Sequence, residues 1–302
     1  MKKGKKIAIL ILIILFVLGS VMLIVGIANG GNVAFNIDYA NKKISTTSKE
    51  NLYEGTETPE SFKNINIDIP AADINIKHGN EYKIEYHFYS SNAPIITTDN
   101  DTFNMNTGKT KVVFSYGFVF DSNKDDGYIN ITVPENVDLE NVTLDLSAGD
   151  VTIDGMNISD LDLDLSAGDA KLSNGNIGNI IVDASSGDVS LDSITGNQVK
   201  VTNSAGDFNM KNSTFEKLDT DLSAGSVDVT ESKISNVKID NTAGNVDLSL
   251  IGEESDYSIK TDVTAGSTTV NGEKKHGSFE VVGGSKKIDI DSSAGSVNID
   301  IK

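Results

Sequence analysis

The sequence predicts an all-β protein: a parallel β-solenoid (β-helix) of about 19-residue coils, preceded by a strand-rich N-terminal portion and one N-terminal transmembrane helix. Three observations lead there. A Ser-Ala-Gly-Asp motif recurs at a fixed interval. Apolar and polar residues alternate from residue 64 onward. A 22-residue uncharged run follows four lysines at the N-terminus.

The repeat is the strongest signal. Aligned by their glycines, the motif and its variants fall at Gly149, Gly168, Gly187, Gly206, Gly225, Gly244, Gly266 and Gly295, in steps of 19, 19, 19, 19, 19, 22 and 29. A fixed period near twenty means a stacked array of like units. Seven and five residues before the glycine sit apolar pairs such as Val142 and Leu144, Leu161 and Leu163, and Val237 and Ile239. Two and four residues after it sit pairs such as Val151 and Ile153, Phe208 and Met210, and Val297 and Ile299.

Each unit therefore reads as strand, tight corner, strand and short return. The corner is expected to turn a small residue (Ala148, Ala167, Ser186 and their counterparts) inward and to need glycine where the backbone bends. One coil cannot bury its inner face alone, so neighbours must stack in register at about 4.8 Å. Proline is absent after Pro134, as a continuous hydrogen-bonded ladder requires. The longer steps place insertions near 252–257 and 271–286, and Asn271-Gly272 in the second marks a hairpin. The last coil, ending at Lys302, reads as an open edge: either Ile299 and Ile301 pair with something, or the terminus relies on its charges to stay single. Residues 141–302 form this regular part.

Residues 61–140 alternate without a fixed period. Ile65, Ile67 and Ile69 alternate with Asn and Asp; Tyr82, Ile84, Tyr86 and Phe88 alternate with charged partners; Ile129, Ile131 and Val133 follow. Strict alternation indicates half-buried strands. This part reads as the N-terminal portion of the solenoid.

Upstream lie a lysine-rich tip (1–6), the apolar run (7–28) and a polar linker (29–60) with sparse apolar residues and no sustained period. At about 1.5 Å per residue, 22 residues span roughly 33 Å, enough for a bilayer core. The lysines orient the tip to the cytoplasm, which sends the remainder outside as a single-pass membrane protein. A signal peptide cleaved after Ala28 is the rival reading; its apolar region would be unusually long. Both readings export residues 29–302.

Composition excludes several classes. With no Cys there is no disulfide framework, thiolate metal site or Cys nucleophile. The chain carries 25 Lys+Arg, all lysine, against 44 Asp+Glu, for a net charge of −19. It is therefore a poor nucleic-acid binder. With the four N-terminal lysines set aside, the exported part carries −23.

Two polar columns emerge from the alignment. Asp145, Asp164, Asp183, Thr202, Asp221, Asp240, Asp262 and Asp291 lie four residues before the glycine. Asp150, Asp169, Asp188, Asp207, Ser226, Asn245, Ser267 and Ser296 lie one after it. Side chains of the first column should point outward, with neighbouring carboxylates about 5 Å apart and repelling by on the order of 1 kcal/mol per pair. Two readings compete: a solvated face whose Asp and Asn side chains cap the turns, and a ladder that binds hard cations such as Ca²⁺. The paired-glycine calcium nonapeptide of other solenoids is absent, so no metal ligand is assigned.

The segments Phe62-Lys63-Asn64-Ile65-Asn66-Ile67-Asp68 and Ile131-Thr132-Val133-Pro134, followed by repeated Leu-Ser-Ala-Gly-Asp-Val units, resemble the DUF4097 "putative adhesin" family of bacterial envelope proteins over roughly residues 60–302. That resemblance implies a β-solenoid behind an N-terminal membrane segment, a link in some members to envelope-stress operons, and no catalytic residues or cofactor.

An enzyme has to be weighed, because stacked β-coils also host polysaccharide lyases and hydrolases. Here Asp is everywhere, so paired acids carry no information. After residue 141 the only aromatics are Phe208, Phe215, Tyr257 and Phe279, with Phe208 at a core position. His78, His87 and His276 show no zinc spacing; His87 is expected on the solvent face. The expected function is a non-enzymatic, adhesin-like binding scaffold outside the cell membrane, held there through residues 7–28 and contacting a cell-surface, envelope or cell-wall partner. The alternatives are an envelope-stress accessory protein meeting a membrane sensor or regulator and, more remotely, a polysaccharide-acting enzyme. No catalytic, cofactor-binding or metal-binding residue is assigned.

Overall fold

The computed structural model describes residues 35–38, 43–45, 51–107, 113–116, 127–275 and 278–302. The chain divides into two compact units, one of residues 1–51 and 109–125, the other of 52–108 and 126–302. The apolar run 7–28, the lysine tip and His276 lie outside the described residues. Among the described residues no helix is long and apolar enough to cross a membrane.

The small unit holds a three-stranded antiparallel sheet with Phe35–Asp38 at its centre. Lys43–Ser45 pairs on one side through Ile37↔Ile44, and Val113–Tyr116 on the other through Ile37↔Phe114.

The large unit is a solenoid with two long faces. The strand before each repeat glycine lies in one sheet (sheet I) and the strand after it in the other (sheet II). Leu139–Ala148, Asn157–Leu165 and Asn176–Ala184 stack in parallel in sheet I, with Leu144↔Leu163 and Leu163↔Val182 in register. Val151–Asp154, Ala170–Ser173 and Val189–Asp192 stack likewise in sheet II. In both sheets alternate residues point inward, so identical repeat positions form buried columns; Val142, Leu161, Ile180 and Val199 are all below 2% exposed. Each such side chain contributes about 1.5–3 kcal/mol on burial. The one strand that crosses both sheets is Val227–Ala243, with a register shift between Val229 and Ser232.

The described residues supply ten stacked rungs, and their spatial order departs from chain order at both ends. At one end the rung of Thr102–Asn106 and Tyr128–Pro134 lies outside that of Asn64–Ala71 and Asp73–Gly79, while 64–79 stacks directly on 139–154. At the other end the C-terminal strands Lys286–Ala294 and Val297–Ile301 insert between the rung of 233–250 and that of 257–270. The expected open edge at Lys302 is thereby corrected: Ile299 pairs with Leu248 on one side and Val270 on the other, and Ile301 pairs with Leu250.

The true ends are blunted by short antiparallel strands. Ile95–Asp99 covers Thr102–Asn106, and Lys83–Ser90 covers Tyr128–Pro134. At the opposite end Phe279–Val281 covers Tyr257–Ala265, and Glu273–Lys275 covers Thr268–Val270. Such caps remove the row of unpaired backbone groups that invites aggregation. The last cap is the hairpin expected at Asn271-Gly272, whose φ values of 48° and 77° suit a type I′ turn.

Two local expectations change. Residues 29–60, expected as linker, include the strands Phe35–Asp38, Lys43–Ser45 and Asn51–Glu57, the last paired with Lys83–Ser90. Asn51–Glu57 is held by backbone hydrogen bonds and exposes most of its side chains, so it needs no alternating apolar face and its sequence pattern is silent. The small residue before each repeat glycine faces outward: Ala148, Ala167, Ser186 and Ala205 are exposed. The inward position at that corner is three residues before the glycine, filled by Leu146, Leu165, Ala184, Asn203, Leu222 and Asn241.

Candidate binding surface

The repeat glycines form one continuous column. A Cβ on Gly168 would overlap the carbonyl oxygen of Gly149; Gly187 meets Gly168, Gly206 meets Gly187, Gly225 meets Gly206 and Gly244 meets Gly225. The column continues through Gly295 on Gly244 and ends with Gly266 on Gly295. From Gly149 to Gly244 φ runs from +121° to +152°, a region essentially reserved for glycine. The corner thus excludes a side chain twice, by dihedral angle and by the close approach of the rung below.

Beside this column the residue after each glycine builds a second ladder. Asp150 Oδ1 accepts the backbone N–H of Asp169 at 2.8 Å, Asp169 that of Asp188 at 2.9 Å, Asp188 that of Asp207 at 2.8 Å and Asp207 that of Ser226 at 2.7 Å. Ser226 Oγ and Asn245 Oδ1 carry it on to Asn245 and Ser296. Asp73 starts it by accepting from Asp150. A short side chain with an acceptor oxygen is all the position requires, so Asp, Asn and Ser alternate there. This column is the turn-capping one of the two competing readings.

The other aspartate column faces outward from sheet I. Asp68, Asp145, Asp164 and Asp183 are direct cross-strand partners, as are Asp221, Asp240, Asp291 and Asp262, with Thr202 between the two runs. Partial burial first, then the charges of Asp68 and Asp164, raise the Asp145 carboxyl above its usual range. Along the second run lysines offset the charge. Lys217 lies 3.1 Å from Asp219, Lys238 pairs with Asp240, and the latter hydrogen bond raises the Lys238 ammonium. Among the described residues no three His, Asp or Glu side chains converge as metal ligands.

Next to the aspartates a stripe of hydroxyls, including Ser147, Ser166, Ser185, Ser204 and Ser223, is exposed. Amide ladders run along the rest of sheet I. Asn179 Nδ2 donates to Asp160 at 2.7 Å, and Asn176 donates to Asn157, which donates to Asp138. Among the described residues, shallow recesses interrupt the relief. One of about 420 Å³ on sheet II is lined by Lys171, Ser190, Asp192, Asn209 and Lys211. One of about 430 Å³ on the return side is lined by Asp138, Asn157, Asn176, Gly178 and Gly196.

Sequence reasoning missed the polar plugs inside the core. Asn203 is 2% exposed; its Nδ2 donates to the Gly187 carbonyl at 2.8 Å and its Oδ1 accepts from Ala205. Asn241 Nδ2 repeats the first contact with the Gly225 carbonyl. Both sit at an inward repeat position filled in other rungs by Leu, Ala, Val or Ser, and that polar substitution is the sequence trace they leave. The return corner holds another such pair: Ser232 Oγ accepts from Ser213 N, and Ser213 Oγ from Ile194 N, all buried.

Aromatic side chains on the outer surface gather in the strand-rich part. His87, half-buried, stacks on Tyr128 with ring centroids 5.6 Å apart and an 11° interplanar angle, and its Nδ1 lies 3.4 Å from Glu54. Phe208 is fully buried, as its repeat position requires. His78 faces the Val133 carbonyl at 3.3 Å.

Among solved structures, a "putative adhesin" from Bacteroides fragilis is 12% identical with a TM-score of 0.48, the alignment covering 82% of this chain and 96% of that one. One from Parabacteroides merdae gives 12%, 0.48, 83% and 96%. A "putative lipid binding protein" from Parabacteroides distasonis gives 10%, 0.40, 83% and 97%. No curated protein matches the chain. The family model described as Toastrack DUF4097 matches residues 62–300, which span the solenoid from its first buried phenylalanine, Phe62, to its inserted C-terminal rung; the chain belongs to that family.

Proposed function

We propose that the protein is a non-enzymatic binding scaffold, tethered to the cell membrane by residues 7–28 and displaying its solenoid outside the cell. One observation carries this reading: register converts a 19-residue repeat into long outward columns, aspartate interrupted once by Thr202 beside a stripe of hydroxyls. Such a surface suits a partner that is itself extended or repetitive, because successive contacts are spaced by the strand separation of about 4.8 Å. The recesses on the solenoid are shallow, the form of a contact surface, and the one on sheet II has Leu172, Leu191 and Met210 in its floor. Their carboxylates and amides are largely engaged in ladder hydrogen bonds, a structural use that leaves them poorly suited to proton transfer.

The test is crosslinking in living cells from photoreactive residues placed at Ser166 and Ser185 in the exposed stripe, with identification of what is captured. A scaffold yields a defined partner set that Asp164→Lys with Asp183→Lys depletes. A captured set unchanged by that double variant removes the reading. Capture of a membrane sensor or regulator would favour the envelope-stress role. Protease shaving of intact cells tests display: the solenoid is digested if it lies outside, and survives if it does not.

A further inference from the structure

We infer that the solenoid core binds one buried water between Asn241 and Ser292, at the seam where the C-terminal strand is inserted. Both residues take the inward position three residues before a repeat glycine, Gly244 and Gly295. They are direct register partners on adjacent strands. Asn241 is 3% exposed and Ser292 is fully buried. Among the described residues Asn241 Oδ1 and Ser292 Oγ have no hydrogen-bond partner. A buried polar atom in that position bears its full desolvation cost, and internal waters are held where two or more such atoms meet.

Two comparisons within the chain sharpen the assignment. Asn203 holds the same repeat position, and its Nδ2 makes the same bond to a glycine carbonyl. Its strand ends there, and its Oδ1 accepts from Ala205 at 3.1 Å. The strand that carries Asn241 runs on to Ala243, in register with Ala294. The corresponding turn bond is not made, and Oδ1 is left over while Nδ2 still donates to Gly225.

Thr220 is the second comparison. Its Oγ1 is also buried without a partner, but its register neighbours are Val201 and Ile239, which offer a water nothing. Asn241 and Ser292 offer an acceptor and a hydroxyl that donates or accepts, the minimum set for a buried water. Room comes from Ser292 itself, far smaller than the Leu146, Leu165 and Leu222 that fill this position in other rungs. Only the inserted order gives the water both partners. Stacked in chain order, Asn241 would face Val263.

The test joins a high-resolution crystal structure of the full-length chain to urea unfolding of variants. Density for a water within about 3.2 Å of both Asn241 Oδ1 and Ser292 Oγ is expected. Ser292→Ala takes away one partner of the water and should raise the unfolding equilibrium constant about fivefold. That effect should vanish in an Asn241→Leu background. Thr220→Val deletes a hydroxyl with no polar neighbour and should leave the urea midpoint unchanged or higher. A dry site, with the two oxygens bonded to each other or turned to backbone carbonyls, overturns the inference. So does a Ser292→Ala midpoint that equals or exceeds that of the unmodified chain.

Discussion

The hydroxyl of Tyr257 donates to the carbonyl of Ile234 at 2.8 Å, and the two residues belong to rungs separated by the C-terminal strand Lys286–Ala294. Tyr257 is 1% exposed, and burial raises its phenol pKa, partly countered by Lys286, whose Nζ lies 5.0 Å from the ring centroid. Lys286 in turn bonds Asp256 at 3.0 Å. The last strands of the chain are thus held between two rungs that precede them in sequence.

Deleting residues 286–302 should therefore remove an interior rung. Without it, Val246–Leu250 and Thr268–Val270 each lose one of their two partner strands. Hydrogen exchange is expected to show loss of amide protection over 257–270, although those residues are retained. Protection there equal to that of the intact chain would contradict the insertion. Tyr257→Phe, which deletes only the spanning hydrogen bond, should cost about 1 kcal/mol in urea unfolding.

Glycine substitutions separate two kinds of turn. Gly206→Ala, at φ +140° and against the Gly187 carbonyl, should cost more than ~3 kcal/mol or prevent folding. Gly272→Ala, at φ +77° with open space around it, should cost only about 1–2 kcal/mol. Urea midpoints rank the two.

The capping ladder distinguishes acceptor from charge. Asp188 Oδ1 accepts from Asp207 while the Asp188 N–H donates to Asp169. Asp188→Asn keeps the acceptor and should be near neutral, as Asn245 already shows within the same ladder. Asp188→Ala orphans the Asp207 N–H and should cost about 1 kcal/mol. Equal destabilisation by both variants would mean that charge, not the acceptor, matters there.

The outward column predicts a sign with pH. The folded Asp145 carboxyl titrates above its unfolded value, so its ionised form opposes folding and the penalty disappears as pH falls through the folded pKa. Asp154 behaves oppositely: hydrogen bonds from Ser173 and Asn174 lower its pKa. Its contribution is present above the unfolded pKa and lost as pH falls through the folded one. Asp145→Asn should therefore stabilise the neutral-pH protein by about 0.5 kcal/mol, within the range for like charges on facing strands, and do nothing at pH 2. Urea unfolding at both pH values checks this.

Strain at the return corner offers a stabilising change. Gly155, Asn174, Ser193, Asn212 and Glu231 all take positive φ there, Glu231 at 47°. Glycine and asparagine tolerate that region and glutamate does not. Glu231→Gly should raise stability by about 0.5–1 kcal/mol, read as a higher urea midpoint.

Sequence alone determined the repeat, the two faces, the buried columns and the glycine corner, because stacking in register makes every rung obey one local rule and the rule recurs in the residues. Residues 141–302 were legible for that reason, down to the hairpin at Asn271-Gly272. Of the binding surface, the outward aspartate column at Asp145, Asp164 and Asp183 and the capping column at Asp150, Asp169 and Asp188 were both visible as spacing. Alternation already turned the first column outward, but that the second caps backbone amides emerged only once each side chain had a neighbour. Tertiary structure alone decided the order of the end rungs. The inward pattern of Ile288 and Ile290 suits any position in the stack, so the repeat cannot say that Gly295 lies on Gly244 with Gly266 outside it. That choice depends on which strand edges the antiparallel caps can cover, a matter of long-range pairing that no nineteen-residue window contains.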